Sequence, residues 1–124
     1  MFDPQEFYKL AVLLFSSGQY TEALGRTIIS RAYYASFLKA REKAVTKWKD
    51  IWESVKIEKC KGGSHWQVRE TLKRAGHPNI SGKLKALHSA RISADYNLET
   101  AIDKDEVDDV LKLAKNLLEL IKNV

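Results

Sequence analysis

The sequence has little that would pin the chain covalently or punctuate it often. One cysteine, Cys60, stands among 124 residues, so no internal disulfide can form and packing must carry the fold. Two prolines and six glycines are too few for a sandwich or barrel, which needs turn signals every ~8–12 residues. The longest apolar run, Leu10 to Phe15, falls far short of the ~20 residues of a membrane-spanning helix. Met1-Phe2-Asp3-Pro4 lacks the basic-then-apolar layout of a signal peptide, so a cytoplasmic chain with no membrane contact is expected. Without an export signal, the sequon Asn79-Ile80-Ser81 reads as chance. Cys60, His65, His77 and His88 match no common zinc spacing, and neither a metal nor a cofactor is expected.

What is present is 44% hydrophobic and 30% charged residues, the balance of one soluble globular domain over 1–124. Asp3 and Pro4 open a first helix with Phe7, Leu10, Ala11, Leu14 and Phe15 at helical spacing, closed by Ser16-Ser17-Gly18. Thr21 opens a second, with Leu24, Ile28, Ala32, Ala35 and Leu38 on one stripe. Apolar spacing then runs on to Val55, and the next breaker is Gly62-Gly63. One helix over 21–59 would be about 58 Å long, against a diameter of about 35 Å for a compact chain of this size. The spacing therefore predicts a break within 43–50. Ser64 with Gln67 suggests a capping box for a helix over His65–Ala75, and Gly76–Asn79 a loop. Ser81 suggests the cap of a helix through Leu84, Leu87, Ala94 and Leu98. Asp103 with Glu106 opens the last helix, whose stripe runs from Val107 to Ile121. The expected fold is all-α, an antiparallel up-and-down bundle of four or five helices.

The net charge of +5 is unevenly placed. Residues 39–91 carry fourteen Lys/Arg against five Asp/Glu, while 92–124 carry four against eight. The positive middle suits RNA, an acidic protein face, or simply solvent. Trp48 and Trp52 share a helix face beside Lys47, Lys49 and Lys56, an arrangement open to base stacking with phosphate contacts, to a dimer contact, or to core cover.

Two arginines fall where apolar residues are due: Arg31 between Ile28 and Ala35, and Arg91 between Leu87 and Ala94. A guanidinium facing a core must be paired or must line a groove. Asp95 lies one turn from Arg91, and Tyr34 one turn from Arg31. Either these residues close a salt-bridge network, or they form a polar groove that grips an anion.

Gly18-Gln19-Tyr20-Thr21-Glu22-Ala23, followed by Arg31-Ala32-Tyr33-Tyr34-Ala35-Ser36-Phe37, resembles the opening of small prokaryotic HEPN proteins. Ser64-His65 at a helix start and Leu87 with Arg91-Ile92-Ser93-Ala94-Asp95-Tyr96 are similar to later motifs of that family, in the same order. The resemblance implies a helical bundle acting as a homodimer, with RNA or a nucleotide as target. It also implies a minimal nucleotidyltransferase as partner in a toxin–antitoxin-type pair. Many such proteins are metal-independent ribonucleases with an Arg, four to six intervening residues and then a His. Here Arg91 matches, but Tyr96, Asn97 and Leu98 stand where that histidine would be. The candidate catalytic residues are thus Arg91 and, from another helix, His65, whose imidazole suits general acid/base chemistry. The candidate RNA- or nucleotide-binding residues are Arg31, Tyr34, Arg91, Asp95, Tyr96, Lys47, Lys49 and Lys56. The alternative is a non-catalytic helical adaptor. Residues 18–23 are also similar to a tetratricopeptide turn, but no second copy appears about 34 residues on.

Overall fold

A computed structural model describes residues 1–58 and 63–124; Cys60, and Gly62 of the expected glycine breaker, lie outside them. The described residues form six helices and no strand: α1 Gln5–Ser16, α2 Glu22–Lys47, α3 Lys49–Ile57, α4 Ser64–Arg74, α5 Pro78–Tyr96 and α6 Lys104–Lys122. The all-α bundle is as the sequence predicts. The count is six because the long second helix breaks at Trp48, inside the 43–50 window. Trp48 leaves helical geometry at φ −121°, ψ 45°. Its N–H still reaches the Ala44 carbonyl at 3.2 Å, and its own carbonyl receives the Trp52 N–H at 2.9 Å. The bend therefore orphans no backbone group at this residue.

Helix α2 is the axis of the bundle and touches all five others. Its buried surface includes Gly25, Ala32, Ala35, Ser36, Ala40 and Ala44, small residues that let neighbouring helices come close. Ile28, Tyr33 and Phe37 fill the space between. Helix α6 packs Val107, Leu111, Ala114, Leu117 and Ile121 into this core, and α5 adds Ile80, Leu84, Leu87 and Ala94. At Gly25 the ring of Tyr20 lies over the helix backbone; an added methyl would meet its Cε1 and Cζ at 2.8 Å. The Tyr20 hydroxyl donates to the Ile102 carbonyl at 2.5 Å, so this glycine lets the α1–α2 link clamp the α5–α6 link.

Helix ends follow the sequence where the capping partner is local. Thr21 Oγ1 accepts the Leu24 N–H at 3.1 Å, and Asp103 Oδ1 accepts the Glu106 N–H at 2.9 Å. Asp3 Oδ1 accepts the Gln5 N–H at 3.0 Å, with Pro4 at the cap of α1. Gly18 has φ +134°.

Two expected caps do not form. Ser64 is already inside α4 behind Gly63, and Gln67 is buried, donating to the Trp52 carbonyl at 3.3 Å. Helix α5 starts at Pro78, whose fixed φ suits a first turn, so the expected loop stops at His77. Ser81 then lies within the helix, and its hydroxyl donates to the Arg69 carbonyl at 2.9 Å.

Leu98 is off the α5 stripe and 80% exposed, because the helix ends at Tyr96. The stop is held by Arg26, which sequence reasoning missed. Its Nη1 donates to the carbonyls of Ser93 (3.2 Å), Ala94 (2.9 Å) and Asn97 (3.1 Å). Its Nη2 reaches the Thr100 carbonyl at 2.7 Å and Glu22 at 2.8 Å. A cation at a helix C-terminus also opposes the negative end of the helix dipole.

Candidate functional site

The two arginines that interrupt apolar stripes meet over one aromatic ring. Arg31 and Tyr34 come from α2 and Arg91 from α5. The guanidinium carbons lie 5.3 Å (Arg31) and 5.1 Å (Arg91) from the Tyr34 ring centroid. Arg31 also sits 5.0 Å from the Phe7 ring of α1, and Arg91 5.7 Å from Tyr96. Arg91 Nε donates to Asp95 Oδ2 at 2.8 Å with its side chain only 14% exposed. Arg31 Nη2 reaches Ser30 Oγ at 3.3 Å. Arg91 is thus ion-paired, and the two guanidiniums share the Tyr34 ring as a common partner. Two guanidiniums against the Asp95 carboxylate leave positive charge on partly desolvated cations, which favours an anion.

Next to this cluster, on the same turn of α2, Tyr33 is fully buried among imidazoles. His65 of α4 stacks on His88 of α5 at 4.6 Å with 9° between ring planes, and on Phe37 at 4.3 Å. Tyr33 itself stacks on His88 at 5.1 Å. The Tyr33 hydroxyl lies 2.5 Å from His65 Nδ1, and Arg69 Nη1 lies 2.9 Å from His88 Nδ1. Burial lowers the pKa of His65, with the Arg91 and Arg69 charges adding to the effect. Burial first, then His65, Arg69 and Arg91, holds His88 down at about 4. Burial pushes the Tyr33 phenol upward. Both histidines are thus neutral near pH 7, and Tyr33 keeps its proton.

The hydrogen bonds then assign the tautomers. A guanidinium is only a donor, so His88 Nδ1 accepts and Nε2 carries the proton. A phenol buried away from water must donate, and its partner is His65 Nδ1, so His65 also carries its proton on Nε2. In that tautomer each imidazole presents an Nε2–H, and its Nδ1 lone pair is engaged by Tyr33 or by Arg69. A histidine acting as general base needs that lone pair, and one acting as general acid must be charged at working pH. The cluster is chemically a set of donors and cations.

Asp95 and Tyr96 lie beside Arg91, with Tyr96 70% exposed. Lys47, Lys49 and Lys56 lie apart from the cluster. Lys47 lies sixteen residues beyond Arg31 on α2, about 24 Å along its axis. Lys49 and Lys56 lie on α3, which packs on α2 and α4 and not on α5. Trp52 is buried and Trp48 rests on His77 at 5.2 Å, so this pair covers core rather than offering bases a platform. His77 is thereby drawn to Trp48, and no metal-holding group of His, Cys, Asp or Glu occurs among the described residues.

His88, Arg69 and Tyr33 were not legible as site residues. Their one signal is polarity among buried neighbours on three helices that the sequence does not join. Comparison with family models, curated proteins and solved structures finds no match to this chain.

Proposed function

We propose that this chain binds RNA or a nucleotide at the Arg31–Tyr34–Arg91 cluster, as a HEPN-like homodimer paired with a minimal nucleotidyltransferase. The observation that carries the ligand class is the pair of guanidiniums, from different helices, converging on one tyrosine ring. Such forks hold phosphate oxygens bidentately, and exposed Tyr96 beside Arg91 offers a face on which a base can stack. Asp95 aims Arg91 through its Nε and leaves the rest of the fork for the ligand. His65 and His88 serve as N–H donors beside the phosphates. With both imidazole Nδ1 atoms engaged inside the protein and no histidine at 96–98, the arrangement favours holding RNA over cleaving it. The partner and the pairing with a second copy come from the family resemblance.

Fluorescence anisotropy with a labelled dinucleotide and a labelled 20-nucleotide RNA tests this reading. Replacing Arg31 by Leu is expected to weaken both by about tenfold or more, the loss of a charge-assisted hydrogen bond of ~1.5–3 kcal/mol. Replacing Lys47, Lys49 and Lys56 together by Ala is expected to leave the dinucleotide unaffected. For the long RNA it should flatten the salt slope by about one unit for each phosphate no longer neutralised. Wild-type affinity for both ligands in Arg31→Leu contradicts the assignment.

A further inference from the structure

Further along α2 from the arginine cluster, the N-terminal part of α1 and the C-terminal halves of α2 and α6 enclose a groove of about 800 Å³. Its floor includes half-buried Tyr8 with buried Leu118 and Ile121. Its walls carry Lys39, Lys43 and Lys47 at four-residue spacing on α2, and Lys115 and Lys122 on α6. Three carboxylates, Asp3, Glu42 and Glu119, line it as well. Lys39 is occupied by Asp3 at 2.9 Å, and Lys43 donates to the Val124 carbonyl at 2.9 Å. Lys115 and Lys122 add two cations from the α6 wall, so five ammonium groups face three carboxylates across the groove.

We infer that this groove is a second ligand site, distinct from the arginine cluster, for a nucleoside polyphosphate. A volume within the ~300–1,000 Å³ range of ligand pockets suits a whole nucleotide and would leave a lone phosphate loosely held. The apolar floor takes the base against the Tyr8 ring, and the lysines, as flexible point charges, take the phosphates. The inference does not rest on the arginine cluster, since the groove shares no side chain with Arg31, Tyr34 or Arg91; Lys47 is common to the groove and to the lysines tested with the long RNA.

Two-dimensional amide NMR with ATP, tripolyphosphate and adenosine as probes decides it. ATP is expected to shift the amides of Tyr8, Leu118 and Ile121. Lys115→Gln with Lys122→Gln is expected to weaken ATP at least tenfold with the spectrum otherwise native, while Arg91→Leu leaves ATP affinity unchanged. Tripolyphosphate and adenosine should each bind more weakly than ATP. Shifts confined to Arg31, Tyr34 and Arg91, unchanged affinity in the lysine double variant, or tripolyphosphate binding as tightly as ATP would each overturn the proposal. If the double variant lost its native spectrum, Lys47→Gln alone, at an exposed position, would have to weaken ATP, and undiminished affinity there overturns it equally.

Discussion

At the scale of single residues, the neutral histidines have a measurable consequence. His65 and His88 have lower pKa values in the folded chain than in the unfolded one. Below the ordinary histidine range the unfolded chain therefore binds protons that the folded chain refuses. Stability is full above about pH 6.5 and declines as pH falls toward the His88 value of about 4. The loss is on the order of 1 kcal/mol once solvent screening of partly exposed rings is allowed for. Asp3 and Glu22 have lowered pKa values, so their contribution is lost only at lower pH. Thermal melts between pH 7 and 4.5 should show this decline, and His88→Gln should flatten it. A wild-type melting temperature that stays level across that window contradicts the charge state assigned here. Arg31 and Arg91 were legible because each breaks a helical stripe within its own segment. Arg69 and His88 break nothing locally and become partners only where α4 crosses α5, so no spacing in the sequence announces them.

At the scale of elements, the same distinction explains which helix ends the sequence foretold. Thr21 and Asp103 find their backbone partners three residues on, so the local pattern is sufficient. Gln67 and Ser81 are claimed by Trp52 and by Arg69 from other helices, and tertiary contacts override the local signal. Arg26 is the extreme case, gathering four carbonyls from residues 93–100. Arg26→Ala is expected to cost about 2 kcal/mol or more in urea unfolding, since hydrogen bonds to a charged donor contribute ~1.5–3 kcal/mol. Arg26→Lys should recover only part of it, because an ammonium cannot span the same carbonyls. A loss under ~0.5 kcal/mol, the size of an ordinary surface change, would show that α5 ends without it. Since Arg91, Asp95 and Tyr96 lie in the last turns of α5, this cap also fixes the register of the candidate site.

At the scale of the whole molecule, composition and periodicity were enough for the bundle, while the placement of positive charge was only half legible. The basic middle of the sequence divides in three dimensions. Arg91 joins Arg31 at one face, and Lys47 turns to the lysine groove on another. Trp52 is buried and so unavailable to a second copy; the large apolar side chains left exposed include Phe2, Leu10 and Leu13, in or before α1. Light scattering at micromolar concentration should give twice the chain mass of 14.2 kDa. A mass equal to one chain contradicts the homodimer.

The proposed site depends most heavily on Arg91 gripping an anion as well as closing a salt bridge. The direct measurement is RNA affinity, alongside thermal stability, for Arg91→Lys. Lysine keeps the charge and can still pair with Asp95, so the melting temperature should stay near that of the wild type. It lacks the planar fork, so affinity for the dinucleotide should fall about tenfold or more, the ~1.4 kcal/mol or greater that separates a bidentate grip from a point charge. Undiminished affinity in a folded Arg91→Lys protein would reduce this arginine to a structural ion pair and contradict the proposed site.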